Sequence, residues 1–373
     1  MKTKYAAPIA WATIIVIALF SRIVVSPSGV RLRGAIDLQV YAHGGMTFLR
    51  GLPLYAASFG ESGNGLPFTY PPFAAFLFST FAWLPFPVVV TLYLCACLAC
   101  LWAIARWLAL PVPTAVVTAL FLCAHPTFNT LSFGQINIFL MTLILADAFD
   151  KRPAWLPRGV LIGIAAAIKV TPGIFLLWFL VRRDFRGLLG MLAGGAAATL
   201  GMAVWKPRDT WTYFTEALVD PNRVGNPAYI YNAALKGDLL RLGAPDAVWY
   251  LALVVSLALG VWAAYRAHRC GQPVLSLVFI AAIGLLVSPI SWTHHWTWLP
   301  VLALLAIKSA AAVGVRQDVF KVLAALTFFL LIFVFPLAAP LPWLESIVVA
   351  SFAVLCLAYF VVTLRLFPKV APV

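Results

Sequence analysis

Charge is scarce in this sequence. Asp, Glu, Lys and Arg make up only 10% of its 373 residues, and Asp and Glu together number 12. A chain that is 63% hydrophobic cannot be a soluble domain, because interior volume grows too slowly with size to hide so much apolar surface. The cysteines are few and form no disulfide framework. Cys95, Cys97, Cys100, Cys123 and Cys356 lie in apolar runs, and Cys270 sits in a short basic turn. Cys97 and Cys100 have the spacing of a redox or zinc pair, but "LCACLACLW" offers no histidine or carboxylate beside them, so they are read as packing. The segment "SRIVVSPSG" lacks an A-x-A-like cleavage site, so the apolar run from Ala6 to Phe20 is expected to be a first membrane helix. No repeat of one half in the other is visible, which argues against a transporter built from two related halves.

What remains is an all-α polytopic membrane protein, its apolar runs of roughly 17–25 residues each able to cross a ~30 Å hydrocarbon core. The formal charge of +14 then reflects basic cytoplasmic loops and not a nucleic-acid partner. Lys2, Arg106, Lys151, Arg152, Arg158, Arg182, Arg183, Arg186, Arg266, Lys308 and Arg365 can all lie on the cytoplasmic side together. Crossings are then predicted at about 6–25, 86–106, 112–127, 135–149, 187–205, 248–266, 273–289, 297–313, 319–336 and 345–366. Between Arg158 and Arg182 a pair of short helices meeting at "KVTPG" satisfies the charges better than a single crossing. The expected total is about twelve helices in one domain over 1–373. Two long loops face outward: 26–85, carrying short helices that lie along the interface, and 206–247.

Few side chains in this setting can do chemistry. Asp37, in "RGAIDLQVYAHGG", precedes a helix-like run and reads as an N-cap, as a solvated carboxylate, or as a base at the mouth of a membrane cavity, where desolvation raises its basicity. Lys169 stands in "GIAAAIKVTPG" inside the short-helix pair. No acidic residue of the same or neighbouring helices lies at its depth, so either it snorkels to an interface or a lipid phosphate is its partner. His294 and His295, in "SPISWTHHW", are adjacent and point about 100° apart on a helix, a poor chelating unit. One is expected to face the cavity and hydrogen-bond an anion or move a proton, while the other packs among Trp292, Trp296 and Trp298. His125, Asn129, Gln135 and Asn137 fall at the same outer level as sugar-binding candidates or helix-end partners. Tyr41 and Tyr70 join the substrate-binding set.

Five motifs in order carry a resemblance: "GAIDLQVYAHGGMTFLRGLPLY", "PFTYPPFAAFLF", "LSFGQINIFLMTLILAD", "GVLIGIAAAIKVTPGIFLL" and "LLVSPISWTHHWTWLPVL". Together they resemble glycosyltransferase family eighty-seven, of the GT-C membrane fold. That family includes polyprenyl-phosphate-mannose-dependent alpha-1,2-mannosyltransferases. The resemblance implies a GT-C-type bundle, a polyprenyl-phosphate sugar donor, a glycolipid or lipoglycan acceptor in the bilayer, and an active site on the extracytoplasmic face of the cell membrane. It further implies inversion at the anomeric carbon, with Asp37 matching the aspartate of the first outer loop, His294 or His295 the histidine of the "SPxSWxHH" element, and Lys169 the lysine of a "KxxP" segment. A contact of Lys169 with the lipid phosphate is an added inference. No cofactor is expected, and the outer loops hold no DxD-like metal motif. An arabinofuranosyltransferase of the same family is the nearest alternative, a lipid or sugar transporter a more distant one.

Overall fold

In hydrocarbon every backbone N–H and C=O needs an internal partner, and apolar runs of this length satisfy that as helices. The computed structural model describes residues 34–55, 65–220, 223–335 and 341–368, together with the backbone of 23–26 and 29–32. Five helices among these are long and apolar enough to span a bilayer: Phe86–Leu108, Phe185–Trp205, Asp246–Arg269, Gln317–Val334 and Trp343–Leu366. The chain is a multi-pass membrane protein. Four more apolar helices, Asn137–Ala148, Thr171–Arg182, Pro273–Val287 and Trp298–Ala312, are shorter.

Two departures from the sequence reading have local causes. The crossing expected at about 112–127 is instead Thr114–Cys123 followed by His125–Phe133, bent by 74°. Pro126, which has no N–H and crowds the turn before it, sits in the first turn of the second piece, and Ala124 between the pieces is extended. The first crossing lies outside the described residues except for its last three. Those belong to the strand Ile23–Ser26, paired antiparallel with Gly29–Leu32 so that Ile23 opposes Leu32. The β-branched residues Ile23, Val24, Val25 and Val30 favour this short hairpin, and every other regular element among the described residues is helical. The break expected at "KVTPG" is present: Val160–Ile168 ends at an extended Lys169, and a 3-10 turn over Thr171–Phe175 leads into Leu176–Arg182.

Packing divides the chain into two compact units, the first Met1–Ile104 with Asn129–Gly173 and Arg186–Gly225, the second Ala105–Phe128 with Ile174–Phe185 and Asn226–Val373. In the first, Val160–Ile168 lies backbone to backbone on Phe185–Trp205. Only glycine permits this: a Cβ on Gly190 would sit 2.0 Å from the Arg158 carbonyl oxygen, and one on Gly163 would sit 2.1 Å from that of Met191. Small residues are the usual means of such close approach in membranes. The buried carboxylate of Asp147 accepts the Gly159 N–H on both oxygens, at 3.0 and 2.8 Å, fixing where this helix begins. In the second unit Asp246–Arg269 packs on Pro273–Val287 and Pro342–Leu366. Arg266 donates to the carbonyls of Leu364, Phe367 and Pro368, which the end of the last helix leaves without intrahelical partners.

The glycine contact gives a direct test. Gly190→Val forces the Arg158 carbonyl away, so the variant is expected to lose about 1–3 kcal/mol or more, as overpacking typically costs. Thermal unfolding in detergent checks it; Gly201→Val, where a Cβ meets nothing within 4 Å, is the control and should melt near wild type.

Candidate active site

The helix Ile36–Leu49 sets out the site. Its cap position belongs to Ala35, in the left-handed region at φ 48°, which makes no side-chain cap bond. Asp37 is therefore not an N-cap. It lies in the first turn, where the amide ends of the helix favour a negative charge. Leu38, Val40, Tyr41, Gly44, Gly45 and Phe48 form the buried side. A Cβ on Gly45 would meet the Phe78 backbone at 2.6 Å, so the glycine lets the helix Pro72–Ser79 come into direct contact. Tyr41, one turn on from Asp37, stacks on Phe78 with ring centroids 4.4 Å apart.

Gly134, at φ +77°, turns the chain from His125–Phe133 into Asn137–Ala148, and a Cβ there would strike Leu38 at 2.5 Å. That turn brings Gln135 against the first helix. Its Oε1 accepts from the Tyr41 hydroxyl at 3.0 Å and the Tyr70 hydroxyl at 3.3 Å, and its side chain also hydrogen-bonds Asp37. The two tyrosine oxygens lie 2.8 Å apart, and the Tyr41 oxygen also takes the Ile136 N–H. Tyr93 holds the turn from behind, its hydroxyl donating to the carbonyls of Thr130 and Gln135 at 3.0 and 2.9 Å. Tyr70 is placed by the Tyr55 hydroxyl on its carbonyl, at 2.7 Å. Two side chains brace these stretches: Arg223 donates to the carbonyls of Tyr55 and Phe68, and Asp209 accepts the Leu54 N–H.

Lys169 completes this group. Its Nζ donates to Asn137 Oδ1 at 3.3 Å and lies 5.4 Å from the centroid of the Tyr70 ring. Asp37 is within electrostatic reach of it, an acidic group that a search of the same and neighbouring helices does not find. The two residues stand 132 positions apart, so their proximity leaves no trace in local sequence. Asp37 is half-buried, and burial raises its carboxyl from 3.8 to about 6, against the smaller lowering effects of the Gln135 hydrogen bond and the Lys169 charge. The carboxylate is thus ionised at neutral pH, yet basic enough to take a proton.

Of the expected site residues, Asp37, Tyr41, Tyr70, Gln135, Asn137 and Lys169 are gathered in the first unit. His125, His294 and His295 belong to the second. The His125 ring stacks on Phe335 with centroids 3.5 Å apart. Thr293–His295 is a single 3-10 turn in which the two histidine rings meet edge-on at 4.6 Å, His294 buried and His295 half-buried. Trp296 is buried against Phe352. Among the described residues no group of three or more His, Cys, Asp or Glu could hold a metal ion, and the six cysteines carry free thiols.

The family model "Glycosyltransferase family 87" matches residues 68–289 of this chain. The chain belongs to that family. The "Polyprenol-phosphate-mannose-dependent alpha-(1-2)-phosphatidylinositol mannoside mannosyltransferase" of Mycobacterium tuberculosis is 38% identical to it over 71% of this chain and 68% of its own. The protein of the same description from Mycolicibacterium smegmatis is 39% identical over 73% and 70%. A Mycobacterium tuberculosis phosphatidylinositol pentamannoside mannosyltransferase, also described as polyprenol-phosphate-mannose-dependent, is 32% identical over 74% and 67%. ArnT from Cupriavidus metallidurans, a solved structure in the apo state, aligns with 96% of this chain and 76% of its own at 18% identity and a TM-score of 0.38, too loose a likeness to build on. The chain is thus a glycosyltransferase. Tyr70, Gln135, Asn137 and Lys169 fall inside the family match, whereas Asp37, Tyr41, His294 and His295 flank it.

One residue of this family 87 chain escaped the sequence reading although the histidine turn depends on it. Asn232 is fully buried and its amide is saturated. Nδ2 donates to the carbonyls of Pro227 and Pro289 at 2.7 and 3.0 Å, and Oδ1 accepts the N–H of Ala234 and Ser291 at 3.1 and 2.9 Å. Backbone bonds from Ala233 N–H to Ser291 and from Thr293 N–H to Tyr231 complete the clamp. Its only local signal is an asparagine after aromatic residues in "YIYNAA", which marks a turn and nothing more. Asn232→Ala strands two N–H groups and two carbonyls, and is expected to lower stability by about 2–4 kcal/mol. Thermal unfolding reads this loss; a melting temperature unchanged from wild type would show the clamp to be redundant.

Proposed function

We propose that this glycosyltransferase moves a mannosyl residue from a polyprenyl-phosphate donor to a glycolipid or lipoglycan acceptor on the extracytoplasmic face, with inversion and with Asp37 as general base. The observation that carries this reading is Asp37 itself: a half-buried carboxylate raised to about 6, within electrostatic reach of Lys169. The descriptions of the mycobacterial relatives supply donor and acceptor class. In this reading about twelve helices form a GT-C-type bundle, with the short helices at Ile36–Leu49 and Pro72–Ser79 on the outer face.

The chemistry needs one base and one place for negative charge to go. Asp37 takes the proton of an acceptor hydroxyl as its oxygen attacks the anomeric carbon. The bond from that carbon to the donor phosphate oxygen breaks on the opposite side, and the electron pair leaves with the polyprenyl phosphate. No covalent sugar–enzyme intermediate forms. Lys169 meets the charge growing on the phosphate, where electrostatic stabilisation acts most strongly. His294 and His295 keep the phosphate-binding role read from the sequence, and His125 and Asn137 the sugar-binding one.

Turnover of synthetic polyprenyl-phosphate mannose with a phosphatidylinositol mannoside acceptor tests the whole reading. Transfer from the arabinose donor alone would replace the mannosyl assignment, and transfer from neither would end the enzyme reading of this site. Asp37→Asn keeps size and hydrogen bonding but removes the base, so kcat is expected to fall by roughly 10²–10⁴. Because only the ionised carboxylate acts, kcat/KM should fall tenfold per unit below about pH 6 and level off between there and neutral pH. A flat profile from pH 5 to 8 would remove Asp37 from the mechanism.

Topology has its own check. The basic groups at Arg158 and Arg186 favour one side of the membrane. With native cysteines removed, Arg158→Cys and Arg186→Cys should both label only from the cytoplasm. Labelling of position 186 from outside would replace the paired short helices with a single crossing.

A further inference from the structure

We infer that Gln135 is a positioning residue for the base: Tyr41 and Tyr70 lock its amide in one orientation, so that it holds one face of Asp37 and leaves the other to the acceptor. This inference rests on the role of Asp37 proposed above and moves Gln135, Tyr41 and Tyr70 out of the sugar-binding set.

Three oxygens, Tyr41 Oη, Tyr70 Oη and Gln135 Oε1, form a closed triangle with edges of 2.8, 3.0 and 3.3 Å. The two hydroxyls bring two protons to it, and the Gln135 carbonyl oxygen brings two lone pairs and none. The Tyr41 proton goes either to Gln135 Oε1 or to Tyr70 Oη, whose own proton then goes to Gln135; either way Oε1 is the acceptor. Flipping the amide would put NH₂ toward two hydroxyls and its oxygen toward the Asp37 carboxylate, a repulsive contact in a half-buried place. The geometry therefore favours one orientation: Oε1 to the tyrosines, Nε2 to Asp37.

The parts that hold the amide have no slack. Gln135 is buried, as are Tyr41 and Tyr70. Tyr41 is pinned between Phe78, stacked at 4.4 Å, and Tyr70, edge-on at 5.1 Å. The Gln135 backbone is held by Tyr93 and by its N–H on the Thr130 carbonyl at 2.9 Å. A sugar could reach Oε1 only by displacing a tyrosine hydroxyl. The groups facing Asp37 in this unit are then Gln135, Lys169 and the neutral hydroxyls of Tyr41 and Tyr70. Only Gln135 combines a direct hydrogen bond to the carboxylate with a fixed orientation of its own. Lys169 acts through charge and is needed by the leaving phosphate.

Such a role leaves a signature that packing would not. A hydrogen bond to the ionised carboxylate favours its charged form, so losing it raises the titration of Asp37. The test is the pH dependence of kcat/KM, with full-length protein, polyprenyl-phosphate mannose and a phosphatidylinositol mannoside acceptor. In Gln135→Leu the acid limb is expected to move up by about one unit, the size of one charge-assisted hydrogen bond. The double variant Tyr41→Phe/Tyr70→Phe keeps the rings and removes the two hydroxyls, and should move it the same way by a smaller amount. It decides the question if Gln135→Leu does not fold. An acid limb left in place in the folded variants, or a raised donor KM with the limb unmoved, overturns the positioning role and returns Gln135 to the sugar. An acid limb that persists in Asp37→Asn overturns instead the reading of Asp37, so the two failures are distinguishable.

Discussion

A carboxylate taken partly out of water is the constraint around which the first unit is arranged. Raising Asp37 from 3.8 to about 6 makes ionisation roughly 3 kcal/mol harder than in solvent, at 1.36 kcal/mol per unit. The sign matters. A folded-state value above the unfolded one means that the fold is favoured as pH falls through 6 toward 4 and bears the full cost above 6, where Asp37 is charged. A sequence optimised for packing alone would put a neutral side chain here. The surroundings offset the cost only in part, through the Gln135 hydrogen bond, the Lys169 charge and the amide end of the helix Ile36–Leu49. A group kept charged at such expense is the expected state of a general base.

The precision of that arrangement comes from backbones brought close together. Gly45 admits the helix that carries Phe78, Phe78 supports the ring of Tyr41, and Gly134 turns Gln135 toward Asp37. Gly45 is locally unfavourable inside its helix, whereas Gly134 ends one in the left-handed conformation that glycine adopts most readily. Their joint effect is to hold four polar side chains from three separate stretches of chain at hydrogen-bond distance. The second unit solves the same problem with a side chain: one buried asparagine satisfies four backbone groups and fixes the approach to the histidine turn.

Much of this was legible in the sequence, and the division follows the range of the interactions. Composition and run length identify a multi-pass membrane protein, because the bilayer sets a length scale that sequence reports directly. The break at "KVTPG" was readable because proline and glycine act within a turn or two of themselves. The 74° bend before Pro126 was readable by the same rule, but the apolar run on either side of it masked the signal. Asp37 and Lys169 could each be singled out as charges in apolar company. Their pairing could not, since it rests on how helices 132 positions apart are packed. The same holds for the tyrosine–glutamine triangle, drawn from residues 41, 70 and 135, and for Asn232, whose four partners lie in two loops.

The two charges of the first unit set a condition on the order of events in the proposed reaction. While the site is empty of phosphate, the Lys169 ammonium lowers the basicity of Asp37. A donor phosphate beside Lys169 neutralises that field and adds a negative charge of its own nearby, and both changes raise the proton affinity of Asp37. The base is therefore strongest when the sugar to be attacked is already in place, and weakest when a proton taken from the acceptor would serve nothing. The Gln135 amide lowers the proton affinity in both states, because a hydrogen bond to the carboxylate opposes protonation whatever Lys169 is doing. In the proposed reaction, a lysine shared between the resting carboxylate and the leaving phosphate would thus couple donor binding to activation of the acceptor.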